Sequence, residues 1–141
     1  MSHFTTVDVK FMDIEAIKDA LTEIGITNYQ EADGNMVLMH DYDGRGTKAT
    51  IKVSKKTLGG GSDLGFVQQE DGSYKLLLDD WSAARSILKS KCKPGQTIPQ
   101  MFKQAYAKSK VVREAQKRGY HSSSTKAQAD GSMQVVLSRW V

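Results

Sequence analysis

Lys103, Lys108, Lys110, Arg113, Lys117 and Arg118 crowd into sixteen consecutive residues. The apolar residues of the same stretch, Phe102, Ala105, Tyr106, Val112 and Ala115, recur at helical spacing. On a helix from about 100 to 118 the cations therefore gather on the face opposite the apolar one. Such a row draws in anions by Coulombic attraction and, for a phosphate backbone, by counterion release, without reading any sequence. Tyr120 and Trp140 are candidate stacking platforms for unpaired bases beside that row. Two ligand classes follow: an acidic protein partner, which the reading favours, and nucleic acid as its alternative. A solvated charged face is also the default of any amphipathic helix.

The rest of the chain's reactive chemistry is sparse. His3, His40 and His121 lie far apart, with no i, i+3 or i, i+4 pairing, so no metal-ligand spacing is legible. Cys92 is the single cysteine, which excludes an internal disulfide. Its neighbours Lys89, Lys91 and Lys93 would favour a thiolate, yet no Cys–His constellation accompanies it and a loop thiol without a role is expected. Asp41-Tyr-Asp43-Gly44 opens like a calcium loop but lacks the closing Glu at position twelve. Asp63, Asp79 and Asp80 are distant companions for it. Gly59-Gly-Gly-Ser-Asp63 has neither the lysine nor the following helix of a phosphate loop. No metal and no cofactor are expected, and the chain reads as non-enzymatic. A third reading is a small enzyme with a pocket beside His3, His40 or the Asp41–Arg45 loop.

These residues need elements to hold them. At 141 residues, 39% hydrophobic and 26% charged, the chain suits one globular domain spanning 1–141. Its net charge of +4 averages two unlike parts: residues 1–82 carry 8 basic against 14 acidic side chains, and residues 83–141 carry 12 against 2. Such parts either neutralise each other within the fold or leave the basic end for a partner. No apolar run approaches the roughly 18 residues that span a bilayer, and the opening MSHFTTVDVKF resembles no signal peptide.

Val7, Val9 and Phe11 alternate as a strand. Asp13 then caps a helix carrying Ile14, Ile17, Leu21 and Ile24, which Gly25 stops. Extended segments follow at 36–40 and 48–53, then a Gly-rich loop at 59–62. Residues 64–69 and 74–78 flank Glu70-Asp-Gly-Ser73 as a hairpin. A short helix is expected within 81–88. The basic helix comes next, with Pro99 in its first turn and Gly119 at its end. A second hairpin joins 120–128 to 133–140 across Ala129-Asp-Gly-Ser132. The order β-α-β-β-β-β-α-β-β predicts an α+β fold: an antiparallel sheet with two main helices on one face, ferredoxin-like with an extended β-meander.

The segments MSHFTTVDVKFMDIEAIKDAL, DLGFVQQEDGSYKLLLDDW and ADGSMQVVLSRW carry a resemblance through nearly the whole chain. They resemble the hypothetical chloroplast reading frame thirty-five family of algal plastids and cyanobacteria, a domain of unknown function. Met1-Ser-His-Phe4, Leu64-Gly-Phe66 and Arg139-Trp140 are the most specific pieces. The basic, Ser-rich segment 107–126 departs from the more tyrosine-rich, less cationic helix that the family leads one to expect. The resemblance implies a protein of the stroma or cytosol and supplies no catalytic residues.

Overall fold

Asp13 and Gly25 bracket the first helix in the computed structural model of the protein, which describes residues 5–32, 37–40, 46–79, 83, 85–127 and 133–139. Helix α1 runs Ile14–Ile24. The Asp13 carboxylate accepts from the backbone N–H groups of Glu15 and Ala16, and Gly25 adopts the left-handed conformation (φ 98°) that ends the helix. Ala16, Ile17, Ala20, Leu21 and Ile24 are its buried stripe.

The chain divides into two compact units: residues 1–12 with 27–98, and residues 13–26 with 99–141. The first holds a five-stranded antiparallel sheet in the order β1-β7-β6-β5-β2. Its strands are β1 (Thr5–Phe11), β2 (Gln30–Glu31), β5 (Ile51–Val53), β6 (Leu64–Gln68) and β7 (Tyr74–Leu78). Ile51 opposes Phe66, and Phe66 opposes Leu76, so one row of buried side chains crosses three strands. Phe11 meets Phe66 edge-to-face with ring centroids 5.3 Å apart, and both are 1% exposed. Tyr74, Leu76 and Leu78 are buried while Lys75 is exposed, the period-two signature that made this strand legible.

The β6–β7 turn is held by Asp71, whose carboxylate accepts from the Ser73 hydroxyl and N–H. Those two bonds, followed by one from Lys10, hold the Asp71 carboxyl down at about 2. A separate pair, β3 (Val37–His40) and β4 (Gly46–Ala49), forms a two-stranded ribbon. The extended segment expected at 48–53 is thus split at Thr50, which bends between β4 and β5. Thr50 still keeps both neighbours: its N–H donates to the Phe66 carbonyl and its carbonyl accepts the Ala32 N–H.

Among the described residues this unit also holds two short helices, α2 (Lys55–Leu58) and α3 (Ile87–Lys91). Helix α2 occupies the approach to the expected Gly-rich loop, with Ser54 capping its start and Gly59 (φ 72°) ending it. Of the short helix foreseen at 81–88, Ala83 is helical, Trp81, Ser82 and Ala84 lie outside the described residues, and a separate turn capped by the Ser86 hydroxyl begins at Ile87.

The second unit holds α1, the twenty-residue α4 (Ile98–Lys117, from Pro99 onward), and the β8–β9 hairpin, Tyr120–Ala127 with Met133–Arg139. Met101, Phe102, Ala105 and Ala115 are buried along α4, and Gly119 (φ 81°) ends it before β8 begins.

The fold class is α+β, as the element pattern predicts. The ferredoxin-like detail is not reproduced by the strand pairing. β5, β6 and β7 run as a meander because short connections place sequence neighbours side by side. β8 pairs with β9 in a sheet of its own.

Candidate functional site

Helix α4 positions all six candidate cations, five within it and Arg118 in the turn that follows. Lys103, Lys110 and Lys117 recur seven residues apart, with Tyr106 and Arg113 between them, so these five side chains form one stripe. Lys103 and Arg118 are exposed and have no ion-pair partner among the described residues.

The other four are engaged, three of them with α1. Arg113 grips Asp19 with two parallel hydrogen bonds, Nε to Oδ2 and Nη2 to Oδ1 (3.1 Å for the second). This fork geometry is the strong form of the pair, and the Asp19 contact raises the guanidinium further above its ordinary range. Lys108 pairs with Glu23. Lys110 lies 3.2 Å from Asp13 and 3.2 Å from Glu114. Lys117 lies 3.6 Å from Glu114 on its other side.

Burial pushes the Asp13 carboxyl up, but the Lys110 hydrogen bond and the two N–H groups it caps outweigh this, so it sits below the usual range. The hydrogen bond to Glu114, followed by that to Asp13, raises Lys110. Glu114 is lowered, by the Lys110 hydrogen bond first and the Lys117 charge second. Tyr106 has a structural task in the same place: its hydroxyl accepts the Asp13 backbone N–H at 3.0 Å. The acidic stretch around α1 and the basic stretch of α4 are thus partners within one unit, and the charge asymmetry of the sequence is partly spent there.

Concavity appears where the stripe ends. Lys110, Val111, Glu114, Ala115, Arg118 and Tyr120 line an open groove of about 300 Å³ along the last turns of α4 and the first residue of β8. That volume lies at the lower end of what a bound side-chain cluster or small ligand requires. Its wall is mainly apolar, and Val111 is 41% exposed there. The groove unites Lys110, Arg118 and Tyr120 of the sequence candidates. Val111, Glu114 and Ala115 complete it. The exposed valine is the signal that could have found them, since it breaks the polar face of an amphipathic helix.

The remaining candidates fall elsewhere. Trp140, His3 and the Asp41–Arg45 segment lie outside the described residues, and His40 and His121 stand in β3 and β8. Burial pushes the Cys92 thiol up, and the Lys89 charge only partly opposes it, so its basic neighbours do not make it a thiolate. Asp63 and Asp79, 3% and 2% exposed, both line a second cavity of about 10 Å³, the space of one water molecule. Asp63 accepts the Lys55 N–H at 2.8 Å and pairs with Lys52 at 3.6 Å, so it closes the loop around α2. Among the described residues no three His, Cys, Asp or Glu side chains gather as a metal site. No helix among them is long and apolar enough to cross a membrane.

Residues 20–136 match a family described as a protein of unknown function (DUF1257), and the chain belongs to that family. It is similar to the "Uncharacterized protein ycf35" of Cyanophora paradoxa, 28% identical over 142 residues that cover 99% of this chain and 98% of the relative. The "Uncharacterized protein ycf35" of Pyropia yezoensis is 25% identical over the same shares of both chains. No solved structure matches.

Proposed function

We propose that this member of the DUF1257 family is a non-enzymatic binding module of the stroma or cytosol that docks an acidic segment of a partner protein in the groove at the end of α4. The observation that carries the reading is the composition of that groove. Arg118 is exposed and has no ion-pair partner among the described residues, Lys110 lies beside it in the lining, and Val111, Ala115 and Tyr120 form an apolar wall. A fitting occupant is an acidic segment with one apolar residue: a carboxylate meets Arg118, and the apolar residue covers Val111. Burying that valine supplies affinity, and the charges supply orientation and on-rate.

Nucleic acid fits this groove less well. Its lining is mainly apolar, which suits an apolar side chain and gives a phosphate backbone few partners. Four of the six cations are already held by carboxylates, which leaves few to release counterions.

The test is fluorescence anisotropy with a labelled Glu-rich peptide carrying one central leucine, run beside the same peptide with alanine there and a mixed RNA pool. The leucine peptide is expected to bind tightest, to weaken as salt rises, and to lose at least tenfold with Arg118→Glu. Lys103→Glu, which lies outside the groove, is expected to leave binding unchanged. Tighter binding of the RNA pool, or equal losses from both variants, overturns the reading.

A further inference from the structure

The β8–β9 hairpin is seven to eight residues long on each side, and among the described residues it is a sheet of only two strands. Two strands alone are marginal in water, and each outer edge carries backbone N–H and C=O groups that no described strand satisfies. The two edges are not equivalent. On β8 the register steps from Ser122↔Leu137 to Ser124↔Val136, so Ser123 is an extra residue and the edge is bulged. A bulge bends and twists its strand and breaks the even spacing that another strand would need. The β9 side, Met133–Arg139, pairs one residue after another with neither bulge nor proline, and its first six residues, Met133 to Ser138, bear no charge.

We propose that β9 is the interface of a two-fold dimer, in which the β9 strands of two copies pair antiparallel and extend the two hairpins into one four-stranded sheet. This inference rests on the hairpin alone and is independent of the groove on α4. The partner is a second copy because β9 is complementary to itself. With the two-fold axis at Val136, Val135 faces Leu137, Gln134 faces Ser138, and Met133 faces Arg139, so no like charges oppose one another. An acidic or basic strand from another protein would find no counter-charge along residues 133–138. The contact is isologous and therefore closes: each copy uses its single regular edge, and the bulged β8 edge stops growth into a fibre.

Two measurements on the full chain test it. Sedimentation equilibrium across a micromolar concentration series is expected to show a monomer–dimer equilibrium. The second uses Cys92→Ser, which removes the only native thiol, combined with either Val136→Cys or Met133→Cys. At the axis the two Val136 positions come within the roughly 4.4–6.8 Å Cα separation that a disulfide spans. The two Met133 positions stand six residues apart along the strands, about 20 Å. Mild oxidation is expected to cross-link the Val136→Cys protein and not the Met133→Cys protein. A wild-type chain that stays monomeric throughout the series overturns the proposal whatever the variants do. A dimer that cross-links as well through position 133 as through 136 overturns it also.

Discussion

Asp13 does two jobs, and substitution separates them. Its carboxylate accepts the Glu15 and Ala16 N–H groups at the start of α1, and it pairs with Lys110 at 3.2 Å. Asp13→Ala removes both. The cap alone is worth about 1 kcal/mol, which for a chain of this length lowers Tm by about 3 °C. Asp13→Asn keeps an acceptor for the N–H groups and removes only the charge, so its Tm is expected to fall by clearly less. Because the Asp13 carboxyl is held below its ordinary value, its contribution is complete above the unfolded value of roughly 3.9 and disappears as pH falls through the lower folded value. The gap between wild type and Asp13→Ala is therefore expected to be constant from neutral pH down to about pH 4 and to narrow below it. Thermal denaturation followed by circular dichroism across that range reads all three proteins. Equal Tm losses for the Asn and Ala variants would refute the capping argument. A gap that widens on acidification would refute the assignment of a lowered carboxyl.

Phe66→Ala removes a ring that packs edge-to-face on Phe11 with both residues 1% exposed. It is expected to cost about 3–5 kcal/mol in chemical denaturation, with Phe66→Leu costing less than half as much; a loss near zero would mean that the row Ile51–Phe66–Leu76 is not part of the core. The Asp71 carboxyl is expected to titrate at about 2 by NMR and to move toward the ordinary aspartate range in Ser73→Ala. Its stabilising effect is present above the unfolded value and lost as pH falls toward the folded one. An unshifted Asp71 in the Ser73 variant would show that the turn hydrogen bonds are not the cause.

Where the determinants are close in sequence, the elements were legible. Asp13, the Ile14/Ile17/Leu21/Ile24 spacing and Gly25 all fall within thirteen residues, and α1 has those bounds. The same holds for the Tyr74–Leu78 alternation and for both hairpins. Helix α2 escaped notice because Lys55, Lys56 and Thr57 carry no apolar period, although Ser54 and Gly59 punctuate it at both ends. The bend at Thr50 also escaped, since nothing in the alternation of 48–53 marks the point where one strand leaves a ribbon and the next joins the five-stranded sheet.

By itself the sequence determined the polarity of this protein: an acidic first part, a basic second part, and six cations gathered on one predicted helix. Backbone periodicity puts residues three and four apart on one face, so that much is local physics. Only the tertiary structure decided what those cations meet. Asp13, Asp19 and Glu23 lie 85 to 97 residues before Lys108, Lys110 and Arg113, and attraction between charges carries no signature of sequence separation. Once three cations are held by α1 and its cap and Lys117 by Glu114, Lys103 and Arg118 are the two without an ion-pair partner among the described residues. The groove beside Arg118 exists because α4 ends at Gly119 and the chain turns at once into Tyr120.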